Sequence, residues 1–284
     1  ADVDFRDYAQ RVGDDRPEDQ VAYWVNRLAG APTETTLPVS DGGTDRDRRI
    51  EGDRTDDDSG AVTTVAFDDD VRSGLADFVR DHHTTAFSVL HTALTILLHR
   101  MGLGRDLVIG TPVANRSPRS GTDLDFSRVV GMFVNTLALR TQIEPSGSVA
   151  DLVAAVRDDD LAALDNRDVP FDDVVSEVNP PREAGRHPLF QIALSVHDFA
   201  DGIDGTSLSV DTGLDVDVSE VDTGTAKFDL QFTVTGMSPD ADNAALEVSY
   251  AAARYRRDEV EMLVMRLMRV LRAMLCDPQR LVGD

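Results

Sequence analysis

The chain contains a single cysteine, Cys276, among its 284 residues. One thiol cannot form a disulfide within the chain, so no disulfide framework supports the fold. A protein without disulfides suits a reducing compartment. We therefore expect a cytoplasmic location.

Lysine is equally scarce, because Lys227 is the only one and the other cationic residues are arginines. Acidic residues outnumber basic ones by 52 to 28, which gives a formal net charge of −24. This charge repels nucleic acid and anionic membranes, so we predict neither as a partner. The composition fits either a GC-rich genome or adaptation to salt.

The acidic residues form short runs at 56–58, 68–70 and 158–160, without interleaved histidine or cysteine. We predict that these runs are solvated surface or helix-start charge and that no metal site is present. Nucleophile-elbow, P-loop and dinucleotide fingerprints are absent, as is any Ser-His-Asp ordering typical of a hydrolase. The chain also lacks a signal-peptide pattern, and we predict that no apolar run reaches the roughly 18 residues that a membrane span needs. It begins in mid-pattern, which indicates a fragment.

What is present is regular apolar periodicity in a chain that is 41% hydrophobic. Spacing of three and four residues predicts helices over 16–29, 70–82, 86–101, 149–164 and about 20 residues from Asp258. Shorter apolar or alternating runs predict strands over 62–67, 189–196, 208–218, 228–234 and 246–250. We divide the chain into an entry segment (1–37), a flexible acidic connector (38–60) and a lobe core (61–284). The mixture predicts an α/β layered fold with largely antiparallel neighbours.

The stretch from Val108 to Arg140 carries polar groups at the ends of two apolar strands. Thr111, Asn115 and Arg116 end the first strand, and Asn135 and Thr136 begin the second. Taken singly, each is most simply a satisfied core or surface residue. Taken together, they predict one face of a cleft.

Four motifs in this sequence resemble those of condensation domains from nonribosomal peptide synthetases. They are FRDYA, with Tyr8; VVGMFVNTLALR, with Gly131, Phe133, Asn135 and Arg140; NRDVPFD, with Asp168, Pro170 and Phe171; and GRHPLFQ, with Arg186 and Pro188. KFDL, with Lys227 and Asp229, also resembles a family segment. Arg167 stands where the family usually has glutamine, and Asp172 where it has glutamate.

The resemblance implies a chloramphenicol-acetyltransferase-like lobe, the C-terminal one of two, with a mixed sheet flanked by helices. It implies a tunnel between the lobes, walled here by Thr111, Arg116, Asn135 and Thr136. Two carrier proteins deliver substrates on phosphopantetheine arms, and no cofactor is bound directly. The implied partners are the N-terminal lobe, the upstream and downstream carrier proteins and an adjacent adenylation domain.

The catalytic HHxxxDG motif of that family is absent from this chain. His82 and His83 are adjacent, but phenylalanine and serine stand at the Asp and Gly positions, so we interpret both histidines as structural. We predict that His91 and His99 lie on a helix surface. No catalytic residue is therefore predicted, and the chain alone should be inactive.

Two other functions remain open. The chain could be a non-catalytic lobe of the same fold that docks carrier proteins, or a stand-alone acyltransferase of the same superfamily that condenses alcohols. If the chain is a condensation-domain lobe, we predict roles for three residues. Asn135 lines or braces the channel, Lys227 is partly buried and paired, and Arg116 is an ion-pair partner for the Asp of HHxxxDG.

Overall fold

The computed structural model describes residues 3–14, 17–35, 37, 59–116, 126, 128–181, 186–197, 223–237 and 244–283. The connector predicted at 38–60, except its last two residues, and the strand predicted at 208–218 lie outside these residues.

Six strands form one mixed sheet. They are β1 (Gly60–Ala66), β2 (Asp106–Ala114), β3 (Val134–Gln142), β4 (Ile192–His197), β5 (Leu230–Thr235) and β6 (Ala245–Ala251). Their order is β1-β6-β5-β4-β2-β3. β4 runs parallel to both of its neighbours, and the other pairs are antiparallel. The predicted fold class, a mixed, largely antiparallel sheet flanked by helices, is confirmed.

Seven α-helices accompany the sheet in the described part of the chain. They are α1 (Phe5–Asp14), α2 (Glu18–Leu28), α3 (Asp69–Asp81), α4 (Ala86–Leu98), α5 (Val149–Asp165), α6 (Phe171–Val178) and α7 (Arg257–Cys276). The Ser148 hydroxyl accepts from Asp151 N–H, and the Asp151 side chain bonds back to Ser148 N–H, which completes the predicted capping box at the start of α5. α4 ends earlier than its apolar stripe predicts, because a π-helical turn over His99–Leu103 follows and Gly102 takes a φ of 90°.

Apolar side chains form a separate core on each face of the sheet. α3, α4 and α7 pack on one face, and α2 and α6 pack on the other against β2, β3 and β4. By length and composition Ala86–Leu103 could cross a membrane, so the prediction that no run is long enough was wrong. Every residue from Ser88 to Leu98 is buried, however, which is the pattern of a core helix.

A buried polar network joins α4 to α5. Asp160 accepts from the Ser88 hydroxyl at 2.9 Å, and its other oxygen lies 2.9 Å from His91 Nδ1. The expectations that His91 and the whole 158–160 run are surface residues were therefore wrong. Asp160 lies in line with Val153 and Val156 on the inward stripe of α5, where burial requires hydrogen-bond partners.

Candidate functional site

The ends of β2 and β3 meet as the polar pattern predicts. In the antiparallel register Thr111 lies opposite Leu137, and Val113 lies opposite Asn135. Thr111 is buried, whereas Asn135 and Thr136 are half-buried. The polar residues at 111 and 135–136 therefore share one end of this strand pair, with Thr136 opposite Pro112.

Asn135 uses its whole side-chain amide to hold a neighbouring turn. Its Nδ2 donates to the carbonyls of Arg167 and Val169, both at 2.8 Å. Its Oδ1 accepts from the backbone N–H groups of Thr136 at 2.8 Å and Phe171 at 3.1 Å. Two donor and two acceptor bonds fill the capacity of an amide. Asn135 thus fastens the start of β3 to the NRDVPFD motif.

Arg116 is half-buried and already engaged on one side. Its Nη1 donates to the carbonyl of Val129 at 2.5 Å and, at 3.4 Å, to that of Phe126. Its guanidinium carbon lies 4.4 Å from the centre of the Phe133 ring, in cation–π contact. These contacts fix the arginine beside the strand ends.

An aromatic cluster joins α1 to this region. Phe5 and Tyr8 pack against Phe133, with ring centres 5.3 and 4.6 Å away. Burial raises the pKa of the Tyr8 hydroxyl, and a hydrogen bond to Asn115 opposes that shift. A Cβ atom on Gly131 would come within 2.2 Å of the Phe5 ring. The glycine of VVGMF is therefore required by close packing against α1.

Beside this cluster lies an exposed apolar patch made of Val130, Met132 and Val134. Their exposed fractions are 93%, 76% and 57%. Three neighbouring apolar side chains in water are unfavourable unless a partner covers them. The exposed part of the predicted cleft face is thus this patch, next to the half-buried Arg116 and Asn135.

The NRDVPFD motif is hydrogen-bonded to α2, in addition to its bonds with Asn135. Asp168 accepts from Gln20 Nε2 at 3.0 Å, and its N–H donates to Gln20 Oε1 at 3.1 Å. Trp24 Nε1 donates to the Asn166 carbonyl. Pro170 occupies the N-cap of α6, and Phe171 stacks on His187. The sequence did not identify Gln20, although its place among the buried residues of α2 marks it as a polar group needing a partner.

The GRHPLFQ motif holds the segment that follows α2. Arg186 pairs with Glu34 and with the buried Asp229, 3.4 Å away, and Arg254 lies 3.3 Å from the same carboxylate. Gln191, the last residue of this motif, accepts from Thr35 N–H at 2.6 Å and donates to the Thr33 carbonyl. Pro188 and Arg186 line a small cavity next to these bonds.

Lys227 does not fulfil its prediction. It is exposed and forms no ion pair with a residue that the structure describes. The buried, paired charge of the KFDL segment is the Asp229 carboxylate. Ion pairs with Arg186 and Arg254 offset the cost of removing that carboxylate from water.

Arg140 closes the far end of the strand pair. It forms a two-point ion pair with Asp106, at 2.8 and 2.6 Å, and donates to the carbonyls of Arg27 and Ala29. The pKa of Asp106 is lowered, and the largest cause is its hydrogen bonding to Arg140. Arg140 therefore ties β2, β3 and the end of α2 together.

Three further histidines, His82, His83 and His187, are placed by ring packing or by a helix junction. His82 stacks on Phe78 at the end of α3, with ring centres 4.2 Å apart, and His83 continues the junction at a φ of 50°. His187 is enclosed by three phenylalanine rings, and burial lowers its pKa. Among the described residues, no group of three or more His, Cys, Asp or Glu could hold a metal ion.

Comparison with known proteins identifies the family. The sequence model of the Condensation domain matches residues 1–284. This chain belongs to the condensation-domain family. Condensation domains of nonribosomal peptide synthetases form peptide bonds between substrates carried on the phosphopantetheine arms of carrier proteins. The chain is 36% identical over 290 residues to a protein of Salinispora arenicola named "Probable non-canonical nonribosomal peptide synthetase (NRPS) CymA", covering 99% of this chain but 3% of that protein.

Solved structures of condensation domains share the fold. The four-domain nonribosomal peptide synthetase AB3403, bound to AMP and glycine, matches with a TM-score of 0.79 and 22% identity, over 95% of this chain and 20% of that one. The X-domain from teicoplanin biosynthesis, solved in complex with OxyB, matches with a TM-score of 0.76 and 26% identity, over 99% of this chain and 60% of that one. Our chain thus spans a small part of the synthetases and about three-fifths of the X-domain.

Proposed function

We propose that this chain is the C-terminal, acceptor-side lobe of a condensation domain. In the complete domain it would help to join a donor acyl thioester to an acceptor aminoacyl thioester, forming an amide. The observation that carries the proposal is the patch of Val130, Met132 and Val134, exposed beside the polar ends of β2 and β3. We assign the N-terminal lobe of the same domain as the partner that covers it.

The residues at the strand ends would shape the tunnel rather than react. Asn135 would brace the wall through the turn at 167–171, and Thr111 and Thr136 would contribute to its surface. Arg116, held by the Val129 carbonyl and the Phe133 ring, would present its remaining N–H groups to the Asp of HHxxxDG. Attack of an amine on a thioester needs a group that positions or deprotonates the amine. We assign that group to the N-terminal lobe, so the chain alone should be inactive.

The test is reconstitution from separately made lobes. The chain is mixed with an N-terminal lobe and two loaded carrier proteins, and the amide is measured by mass spectrometry. We expect product only when both lobes are present. Met132→Asp should abolish association and product, because it places a charge in the covered patch. Leu161→Asp, at an exposed position of α5, is the matched control and should leave both unchanged.

Condensation by this chain alone, above the uncatalysed rate, would contradict the proposal. So would normal association and product formation by Met132→Asp, because the patch would then not be the contact.

A non-catalytic binding lobe is the second candidate, favoured by the match to the X-domain solved as a complex with OxyB. The same reconstitution distinguishes it. Carrier proteins or another partner would bind the assembled lobes, but no amide would form even with an intact HHxxxDG.

A further inference from the structure

A second concave site lies between α4, α5, α7 and the turn that ends the described chain. Its cavity has a volume of about 130 Å³. The floor is apolar, formed by Ile96, Val149, Val270 and Met274. A cavity of about 150 Å³ with such a lining holds a benzene-sized group. This cavity therefore accepts one branched or aromatic side chain.

Three arginines surround that apolar floor: Arg100 after α4, Arg269 on α7 and Arg280 in the final turn. None of the described lining residues is acidic. Arg100 donates weakly to the Val282 carbonyl at 3.3 Å. Arg100 and Arg269 form no ion pair with a carboxylate that the structure describes, whereas Arg280 makes a further interaction of its own. Arg100 and Arg269 are thus the charges available to a ligand.

An apolar track on α7 leads to this cavity. Met262 and Met265 are exposed by 48% and 55%. Met265 precedes Arg269 by four residues, so the two lie on the same face of the helix. Methionines on a surface adapt readily to an apolar partner. The face therefore continues the cavity along the helix.

We propose that this groove, formed by α7 and the three arginines, docks an acidic amphipathic helix of a partner protein. One apolar side chain would enter the cavity, and carboxylates on the flanks would pair with Arg100 and Arg269. We choose this occupant by charge complementarity. The chain has 52 acidic and 28 basic residues, so most of its surface repels an acidic segment, whereas the arginines of this groove attract one. A second copy of the chain, also at −24, would be repelled.

The experiment measures fluorescence anisotropy with a fluorescein-labelled helical peptide of sequence EALEELLEALEE. The Arg100→Gln, Arg269→Gln double variant should weaken its binding at least tenfold. The Arg80→Gln, Arg157→Gln double variant is the matched control, because it removes the same charge from α3 and α5 outside the cavity lining, and binding should stay within twofold. Ala273→Phe, which fills the cavity, should weaken binding without lowering the melting temperature.

A peptide with every leucine replaced by serine should not bind, which separates apolar docking from charge attraction alone. The proposal is overturned if the unmodified chain binds neither peptide, if both double variants lose binding equally, or if the serine peptide binds as well as the leucine peptide. Self-association of the chain, lost in the Arg100→Gln, Arg269→Gln variant, would also overturn it by assigning the groove to a second copy.

Discussion

The Asn135 turn and the Ser88–His91–Asp160 network both provide hydrogen-bond partners for polar groups, but they do so in different ways. Asn135 satisfies backbone groups at the edge of the fold with one amide that has no spare capacity. Asp160 joins two side chains inside the core and leaves His91 Nε2 without a partner among the described residues. The first arrangement fixes the shape of a surface turn. The second fixes how two core helices meet.

The largest effect should come from breaking the core network. Asp160→Ala leaves the Ser88 hydroxyl and His91 Nδ1 buried without their partner, so we expect a loss of about 3–5 kcal/mol in the free energy of unfolding. Urea titration measures it. Asp158→Ala, two residues away at an exposed ion pair with Arg157, should cost less than about 1 kcal/mol. Equal losses in the two variants would show that the network contributes nothing special.

Asn135→Leu should have a smaller effect on stability and a clearer effect on function. It removes partners from two carbonyls and two N–H groups that are only part-buried, so we expect a loss of about 2 kcal/mol in a lobe that still folds. In the reconstituted domain, amide formation should slow because the 167–171 turn shifts. Thr141→Val, on the same strand, serves as the control, because its buried hydroxyl forms no hydrogen bond with the described residues. Unchanged turnover would reduce Asn135 to an ordinary core residue.

The Asp106–Arg140 pair lies at the opposite end of the same strands and should respond to pH. The pKa of Asp106 is lowered in the folded protein. Its contribution is therefore present above the unfolded pKa, near 4, and is lost as pH falls through the folded pKa. Arg140→Met should cost about 1 kcal/mol at pH 7 and flatten the acid limb of the stability profile. Denaturant titrations between pH 2 and 7 measure both, and an unaltered acid limb would contradict the assignment.

Lys227→Arg should have the smallest effect. Because the side chain is exposed, we expect less than about 0.5 kcal/mol of change. Asp229→Ala, two residues along, removes the carboxylate shared by Arg186 and Arg254 and should cost several times more. Thermal melting of the two variants side by side tests this contrast, and a larger loss at Lys227 would restore the prediction made from the sequence.

The sequence predicted most helices and strands because apolar periodicity is local, but it did not predict α1 (Phe5–Asp14). α5, for example, begins at the predicted cap and ends one residue after the predicted boundary. β4 was predicted too early, because Leu189 takes a φ of 69° and the strand begins only at Ile192. The polar residues at the ends of β2 and β3 could be identified because each lies within a short, contiguous stretch of sequence.

What the sequence could not supply is the partner of each polar group. Gln20 and Asp168 are 148 positions apart, and His91 and Asp160 are 69 apart. No local pattern encodes such pairs, although a polar residue on an apolar stripe signals that one must exist. Lys227 failed for a related reason: the rarity of a residue type carries no information about its burial.

Because β1 pairs with β6, this edge of the sheet can form only after β6 has been synthesised. Ala61 lies opposite Tyr250, so that edge of the sheet joins segments 189 positions apart. Such contacts form late, because a long loop must close before they contribute. On a ribosome adding about 5–20 residues per second, the first strand would wait at least about 10 seconds for its neighbour. We therefore expect nascent chains truncated before Ala245 to expose the β1 edge and to need chaperone protection.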